Sequence, residues 1–334
     1  MIPTPYLLYL GHSQHPADIK TSRGLAVFRP DACVGELRHD DCTLTLDLPR
    51  MTPAEAAAAG AKTLVIGIAM AGGRLSAAAI DDAEAAIRAG LNVAAGLHQR
   101  LRDQPRLVAA AAEAGVQLFD VRDAPADLPV GTGAPRAGKR VLTIGTDCSS
   151  GKMYTTLALA AELQRRGIAA DFRATGQTGI LVAGAGVPLD AVIADFISGA
   201  VEVLSPARDD GGWDLIEGQG SLYHPSFAGV STGLLHGAQP TAIVMCHDPV
   251  RATLRGLPGY PVPDMMTCLE ENLRVARLTS PAVRAAGIAL NTSTMEEHAA
   301  RALVAETAMA SGLPTTDPHR FGAGPIVDHL LAAF

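Results

Sequence analysis

RVLTIGTDCSSGKMYTT, residues Arg140–Thr156, combines the three parts of a phosphate-binding loop. The apolar run Val141–Ile144 predicts a strand buried on both faces, and Thr155–Gln164 predicts a helix. A glycine-bounded loop that ends in Gly-Lys lies between them. This order is typical of a P-loop, because the loop N–H groups and the helix N-terminus both attract anions. A plain strand–helix connection that binds nothing is the structural alternative.

The loop departs from the usual pattern at two points. Five residues instead of four separate Gly145 from Gly151, and Met153 follows Lys152 where the usual motif has a Ser or Thr that holds Mg²⁺. A thioether is a poor ligand for a hard cation, so no metal is expected. We expect a phosphate-bearing cofactor to contact the whole loop: Gly145, Thr146, Asp147, Cys148, Ser149, Ser150, Gly151, Lys152, Met153 and Tyr154.

Composition restricts the possible partners. The 334 residues are 48% hydrophobic, which is enough for two domains with cores of their own. The net charge is −7 and no basic run is present, so we expect no nucleic-acid partner. The N-terminus lacks a signal-peptide pattern, and no uncharged span reaches membrane length. Five scattered cysteines are typical of reduced thiols, so a cytoplasmic location is expected.

The N-terminal part alternates strands with helices, which predicts a Rossmann-like α/β domain over residues 1–125. The expected strands are 6–10, 26–28, 42–48, 63–69, 92–96 and 117–121, and the expected helices are 51–60, 81–90 and 107–114. The loop 67–73 does not fit G-x-G-x-x-G, so dinucleotide binding is not expected. A Pro- and Gly-rich stretch predicts a linker over residues 126–139.

Residues 140–334 predict a P-loop NTPase-like domain with a mostly parallel sheet. Further strands are expected at 170–173, 213–216, 242–245 and 288–290, and a helix at 188–204. In such sheets ligands bind at the carboxyl ends of the strands. Glu217 follows the strand 213–216, where a buried carboxylate with a raised pKa can act as a base, although it could instead cap a glycine turn. His247 and Asp248 are sequence neighbours and are not expected to form a triad.

Four other strand ends carry polar groups. Thr175–Gly179 (TGQTG) predicts a tight loop that suits close approach to an anion or a substrate, with a plain turn as the alternative. Asn291 follows the strand 288–290 and is expected to help hold the base of a nucleotide. His98 and Arg122 follow two strands of the first domain.

The loop GTDCSSGKM, from Gly145, resembles that of the dethiobiotin-synthetase and cobyrinate-amidase group of P-loop proteins. A longer series of segments resembles the DgcN-type N-acetyltransferases, a family long catalogued as a domain of unknown function. The series runs GTDCSSGKMYTT, FRATGQTG, DAVIADFISGA, IEGQGSLYHP, LLHGAQP and CHDPVR. The first domain adds YLLYLG, Lys20-Thr21, Arg29-Pro30, Gly96-Leu97-His98 and Asp120-Val121-Arg122, so the resemblance covers nearly the whole chain.

This resemblance implies transfer of an acetyl group from acetyl-CoA to the amine of D-glutamate, in D-amino-acid catabolism. CoA needs a phosphate cradle but no Mg²⁺, because no phosphoryl group moves. Glu217 is then the first candidate for the base that deprotonates the amine, and His224 the second. The two substrate carboxylates need cations, for which Arg173, Lys20 and Arg122 are candidates. Other substrate contacts are expected from Gly176, Gln177, Thr178 and Gln219.

Two other classes of function stay open. One is an ATP-dependent ligase or kinase of the dethiobiotin-synthetase type, in which Thr155 or Thr156 replaces the missing Mg²⁺ ligand. The other is a non-catalytic nucleotide sensor. In each case the apolar, Ala- and Leu-rich helices favour a homo-oligomer.

Overall fold

A computed structural model describes residues 2–16, 18–68 and 73–334. In chain order, the strands are β1 Tyr6–Gly11, β2 Cys33–Arg38, β3 Thr63–Ile66, β4 Asn92–Ala95, β5 Leu118–Asp120, β6 Lys139–Gly145, β7 Ala170–Arg173, β8 Trp213–Ile216, β9 Ala242–His247, β10 Thr253–Leu254, β11 Leu257–Pro261, β12 Arg284–Leu290 and β13 Thr315–Thr316. The helices are α1 Lys20–Phe28, α2 Pro53–Ala58, α3 Ala77–Arg88, α4 Pro105–Ala114, α5 Lys152–Arg165, α6 Gln177–Ala183, α7 Ile197–Leu204, α8 Ala228–Ala238, α9 Met265–Ala276, α10 Glu297–Ser311 and α11 Gly324–Ala333.

The chain forms two compact units. Unit 1 consists of Met1–Asp123 together with Gln177–Pro188, and unit 2 consists of Ala124–Gly176 together with Leu189–Phe334. The sequence did not predict that Gln177–Pro188, which contains α6, would belong to the first unit.

Unit 1 is built on a five-stranded parallel sheet in the order β2-β1-β3-β4-β5. Strands β1 and β3 are buried along their full length, as expected for a sheet that is covered on both faces. Thr52 caps helix α2, because its side chain accepts from Glu55 N while the Glu55 carboxylate accepts from Thr52 N. Strand–helix alternation and a parallel sheet confirm the predicted α/β class.

Unit 2 has a six-stranded parallel sheet in the order β13-β12-β9-β6-β8-β7. Strand β6 lies at its centre, between β9 and β8, and it leads directly into the P-loop and α5. The core on one side of this sheet includes Trp213, Leu159 and Ile326. The predicted P-loop domain with a mostly parallel sheet is confirmed, and a short antiparallel hairpin of β10 and β11 is added to it.

Two of the predicted N-terminal strands are wrong. Residues 26–28 form the end of α1, and residues 42–48 form no strand. The alternation in 42–48 was misleading, because Thr45 and Leu46 direct an O–H and an N–H toward the buried Glu36 carboxylate. The strand beside β1 is instead Cys33–Arg38, whose sequence CVGELR has little alternation.

Two predictions in unit 2 also need correction. Residues 188–204 are not one helix: two 3₁₀ turns, Leu189–Ala191 and Ala194–Phe196, precede α7. The predicted TGQTG loop ends at Gly176, because α6 begins at Gln177.

Part of the predicted loop 67–73, residues 69–72, lies outside the described residues.

Candidate functional site

The P-loop connects β6 to α5 at the carboxyl edge of the unit 2 sheet. A Cβ at Gly145 would overlap the Ser150 hydroxyl, and Gly151 has φ 103° at the N-cap of α5. Ser149 takes the left-handed conformation at φ 53° and is exposed at the loop tip. A side chain would therefore be crowded at position 145 and would strain the backbone at position 151. Both features are typical of a backbone that wraps closely around a phosphate.

Lys152 is almost completely buried and donates from Nζ to the Asp147 carbonyl oxygen at 2.8 Å. Burial lowers the pKa of this ammonium group. An anionic phosphate inside the loop would stabilise the charged form of Lys152. The lysine is therefore suited to bind a phosphate there.

Asp147 organises the loop from within. Its Oδ1 accepts from Cys148 N at 2.6 Å, and its Oδ2 accepts from Arg251 Nη1 and from Arg255 N, each at 2.8 Å. The Arg251 guanidinium also bonds the carbonyl oxygens of Cys148 and Ser149. Asp147 therefore fixes the loop conformation, and its carboxylate is not directed at a phosphate.

Sequence reasoning did not identify Arg251 and Arg255 as members of this site. The available signal was their position just past the strand end CHDP, next to the P-loop strand in the sheet. Sequence spacing alone does not show that the chain turns back over the loop after residue 250. The β10–β11 hairpin makes that turn.

Glu217 lies directly after β8 and is 4% exposed. Its Oε2 accepts from Thr175 N at 2.9 Å and from Gly176 N at 3.1 Å, while the described residues give Oε1 no hydrogen bond. Burial raises the pKa of this carboxyl group to about 7, and the two N–H bonds and Lys152 only partly oppose the rise. The raised pKa predicted from the sequence is therefore present, and it suits proton transfer near neutral pH.

Gly218 and Gly176 allow neighbouring parts of the chain to pack closely around Glu217. A Cβ at Gly218 would overlap the Thr143 carbonyl oxygen, and a Cβ at Gly176 would lie 2.5 Å from Gln219 Nε2. Gln219 Nε2 donates to Thr175 Oγ1 at 3.1 Å. Gly176 and Gln219 thus lie at the Glu217 carboxylate.

His224 is 2% exposed, and both of its ring nitrogens are engaged. Nδ1 accepts from Ser226 N at 3.3 Å, so Nε2 must carry the proton that it donates to the Arg255 carbonyl oxygen at 3.1 Å. A neutral imidazole with both nitrogens engaged is poorly placed to accept a substrate proton. This geometry does not support the predicted role of His224 as a base.

Asp147, Cys148 and His224 could in principle hold a metal ion. One potential ligand atom from each lies within 4.8 Å of the others. However, both Asp147 oxygens accept hydrogen bonds and both His224 nitrogens are engaged, so a cation would have to displace these contacts. We assign no metal to this cluster.

The threonines that follow Met153 face the interior of unit 2. Thr156 is fully buried, shares a hydrogen bond with Thr143 and donates to the Lys152 carbonyl oxygen at 2.7 Å. The hydroxyl of Thr155 interacts with the buried Cys246 thiol. Neither hydroxyl is directed at the loop mouth, so neither replaces the missing Mg²⁺ ligand.

Arg173 was predicted to bind a substrate carboxylate, but its guanidinium is committed elsewhere. Nε and Nη2 lie 3.0 and 2.9 Å from Oδ1 of Asp214, a fully buried carboxylate that also pairs with Arg208. Breaking such a pair would leave a buried charge without its partner. The contact favours a structural role for Arg173.

The remaining residues that were predicted to contact the substrate lie in unit 1. Arg122 donates from Nε to the Gly96 carbonyl oxygen at 2.6 Å and to Gln177 Oε1 at 2.8 Å. Thr178 shares a buried hydrogen bond of 2.7 Å with Thr21, which follows Lys20 in the first turn of α1. The structure thus brings Arg122 and Gln177 together, and Thr178 next to α1.

Asn291 follows β12, and its Cβ would lie 3.9 Å from a Cβ at Gly151. Tyr154, in the first turn of α5, packs edge-on against His319 with 5.9 Å between the ring centroids. Asp317 fixes the loop that carries His319 by accepting from His319 N and Thr292 N. The predicted base-binding residue therefore lies next to the start of the P-loop helix.

All five cysteines are free thiols. Within the described residues, no helix combines the length and the apolar character needed to cross a membrane.

Comparisons with known proteins agree with this two-part arrangement. Residues 34–124 match a Rossmann-like domain of unknown function, DUF1611_N, and residues 129–327 match a P-loop domain of unknown function, DUF1611_C. A crystal structure of a DUF1611 family protein from Anabaena variabilis is similar at a TM-score of 0.90 and 34% identity, over 99% of this chain and 100% of that one.

Two curated relatives are both named D-glutamate N-acetyltransferase. The one from Tritonibacter scottomollicae is 49% identical over 99% of this chain and 100% of its own length. The one from Pseudoalteromonas sp. is 45% identical over 98% of this chain and 99% of its own length. The chain thus belongs to the DUF1611 family, whose Rossmann-like and P-loop domains it carries in that order.

Proposed function

We propose that this protein is an N-acetyltransferase that moves the acetyl group of acetyl-CoA to the amine of D-glutamate. Two relatives with that name match it over nearly their full length, at 49% and 45% identity. The structural observation that carries the proposal is a P-loop without a hydroxyl for Mg²⁺. Met153 follows Lys152, and the hydroxyls of Thr155 and Thr156 are engaged in the interior.

The P-loop holds the diphosphate of CoA in this proposal. Loop N–H groups and the N-terminus of α5 supply donors and positive potential, and Lys152 supplies a full charge. In this proposal Asn291 and Tyr154, beside the start of α5, contact the adenosine. A diphosphate that is bound without being cleaved requires no metal to assist a departing phosphoryl group.

Glu217 acts as the base. Its carboxylate takes a proton from the ammonium group of D-glutamate, and the amine nitrogen then attacks the thioester carbonyl carbon. The tetrahedral intermediate collapses with loss of the CoA thiolate, which takes up a proton, and N-acetyl-D-glutamate is released. The thioester lies at the far end of the pantetheine arm from the diphosphate, so this assignment requires the arm to fold back toward β8.

The two carboxylates of D-glutamate, the acetyl acceptor, need cations and N–H donors to bind them. Lys20 and Arg122 remain our candidates for the cations, whereas Arg173 is withdrawn because it pairs with Asp214. Gly176 and Gln219 border Glu217, and Gln177 and Thr178 begin α6. We retain these four as proposed substrate contacts.

One assay tests the function. The purified protein is incubated with D-glutamate and either acetyl-CoA or Mg·ATP, and N-acetylglutamate, free CoA thiol and ADP are measured. We expect N-acetylglutamate and thiol in equal amounts with acetyl-CoA, and no ADP. ADP formation that depends on D-glutamate would instead favour the ligase or kinase, and no product with either donor would favour a nucleotide sensor. L-Glutamate in parallel reports the stereochemical preference.

Two further properties belong to the same proposal. The scattered free thiols favour a cytoplasmic location. Ala- and Leu-rich helices favour a homo-oligomer, which light scattering on the purified chain would test.

A further inference from the structure

Among the cations described at the P-loop, Arg255 is the one that is both exposed and without a carboxylate partner in the described residues. The Arg251 guanidinium pairs with both Asp147 and Asp248, and Lys152 is buried. Arg255 is exposed, no carboxylate of the described residues lies within ion-pair distance of it, and its Nη1 donates to Ser149 Oγ at 2.7 Å. Its positive charge is therefore available at the outer rim of the loop.

The backbone of Arg255 is held on both sides. Its N–H donates to Asp147 Oδ2 at 2.8 Å, and its carbonyl oxygen accepts from His224 Nε2 at 3.1 Å. The preceding Leu254 is buried, and the following Gly256 has φ 78°, so that Arg255 and Gly256 form the turn between β10 and β11. A side chain on a fixed backbone loses less freedom when it binds a ligand than one on a mobile loop.

This anchoring explains why His224 is buried with both nitrogens engaged. His224 is a positioning residue: it holds the Arg255 carbonyl, and through it the hairpin, against the P-loop. Nε2 donates to the Arg255 carbonyl oxygen, while Nδ1 accepts from Ser226 N and fixes the orientation of the ring.

We propose that Arg255 binds the 3′-phosphate of the CoA donor and thereby selects CoA over donors that lack this group. The inference rests on the proposed function and deepens it. In the proposed function the loop N–H groups and Lys152 bind the diphosphate. Arg255 contacts Ser149 at the exposed tip of the loop, so its guanidinium can bind a further phosphate group of the same ligand. A phosphate monoester carries about −1.5 to −2 charge at pH 7, and a guanidinium binds it through two parallel hydrogen bonds.

The test compares acetyl-CoA with acetyl-dephospho-CoA, which lacks only the 3′-phosphate. For the unmodified protein, we expect KM for acetyl-dephospho-CoA to be about tenfold higher, in the range of a charge-assisted hydrogen bond at an exposed site. Arg255→Gln should raise KM for acetyl-CoA to the same level and leave KM for acetyl-dephospho-CoA unchanged. Arg255→Lys should fall in between, because it keeps the charge but loses the planar fork.

A matched control and a turnover-independent readout separate the possible failures. Arg274→Gln removes another exposed arginine of unit 2 and should change neither KM. Calorimetry with CoA and dephospho-CoA measures the same preference without acceptor or acetyl group, so it remains decisive even if acetyl transfer to D-glutamate is not observed. Equal affinity of the unmodified protein for the two, no binding of either, or an equal loss of both in Arg255→Gln would overturn the proposal.

Discussion

Thr175 and Glu217 are joined by two hydrogen bonds that both run from the threonine. Thr175 N donates to Glu217 Oε2 at 2.9 Å, and Thr175 Oγ1 donates to the Glu217 carbonyl oxygen at 2.7 Å. These bonds tie the end of β7 to the end of β8 and hold the carboxylate in one orientation. Oε1 is the proton acceptor in the proposed mechanism, and burial raises the pKa of this carboxyl group to about 7.

Replacing Glu217 by Gln should lower the rate of acetyl transfer by about 10²–10⁴-fold, the usual contribution of a positioned base. For the unmodified protein, kcat/KM should fall as pH drops below 7, because protonated Glu217 cannot accept a proton. The variant should lose this limb of the pH profile. Acetyl transfer by Glu217→Gln at an unchanged rate would show that another group is the base.

The same substitution should stabilise the fold at high pH. A carboxyl pKa raised by burial means that the folded state holds its proton more tightly than the unfolded state. The free energy of unfolding therefore falls as pH rises from about 4.5 to about 7, by roughly 3 kcal/mol for this group. Glu217→Gln removes that loss, since its amide oxygen can still accept from Thr175 N.

Urea unfolding at pH 4.5 and at pH 8 measures this effect. The variant should exceed the unmodified protein in free energy of unfolding at pH 8, and the difference should shrink at pH 4.5. Glu270→Gln, at an exposed position of α9, is the control and should show no such dependence. A Glu217→Gln variant that is less stable at pH 8 would mean that the ionised carboxylate stabilises the fold.

Removal of divalent metal should leave acetyl transfer unchanged. Met153 offers no hard ligand, and the hydroxyl of Thr156 is engaged with Thr143 and the Lys152 carbonyl. Rates are measured after dialysis against EDTA and again after Mg²⁺ is added back. Loss of activity on chelation and recovery with Mg²⁺ would contradict this expectation and favour the ATP-dependent alternative.

Gly218→Ala should destabilise the fold by about 3 kcal/mol or more, because its Cβ would overlap the carbonyl oxygen of Thr143 in the neighbouring strand. Gly229→Ala is the matched control. Gly229 lies exposed in α8 with no atom near a Cβ, so alanine should be neutral or stabilising by up to about 1 kcal/mol. Thermal unfolding of the two variants compares them directly, and similar transition temperatures would refute the steric argument.

Local patterns were enough to predict the P-loop and the strand ends around it. Val141, Leu142 and Ile144 are apolar because β6 is buried, and Glu217 follows Trp213–Ile216, which is buried along its full length. Helix α2 lies within the predicted range 51–60, and it begins at Thr52 and Pro53 because a cap and a proline act within one turn.

Tertiary contacts engage two of the predicted site residues with other parts of the chain. Arg173 sits beside the TGQTG segment in sequence, but Asp214, which lies in the neighbouring strand, takes its guanidinium. His224 ends a polar run, yet its partner is the carbonyl oxygen of Arg255. No spacing rule connects residues that meet only when a hairpin turns back over the loop, and for the same reason Arg251 and Arg255 were missed.

The discontinuous unit 1 has a consequence for dissecting this protein. In helix α6, the Thr178 hydroxyl shares a hydrogen bond with the Thr21 hydroxyl, and the Val182 carbonyl oxygen accepts from Arg29. More than 150 residues separate the partners in each pair. A fragment that stops at Asp123 would lack this helix and leave one side of α1 exposed to water. Truncation at the apparent linker would therefore yield an incomplete module, and studies of either half are better carried out by point substitution in the intact polypeptide.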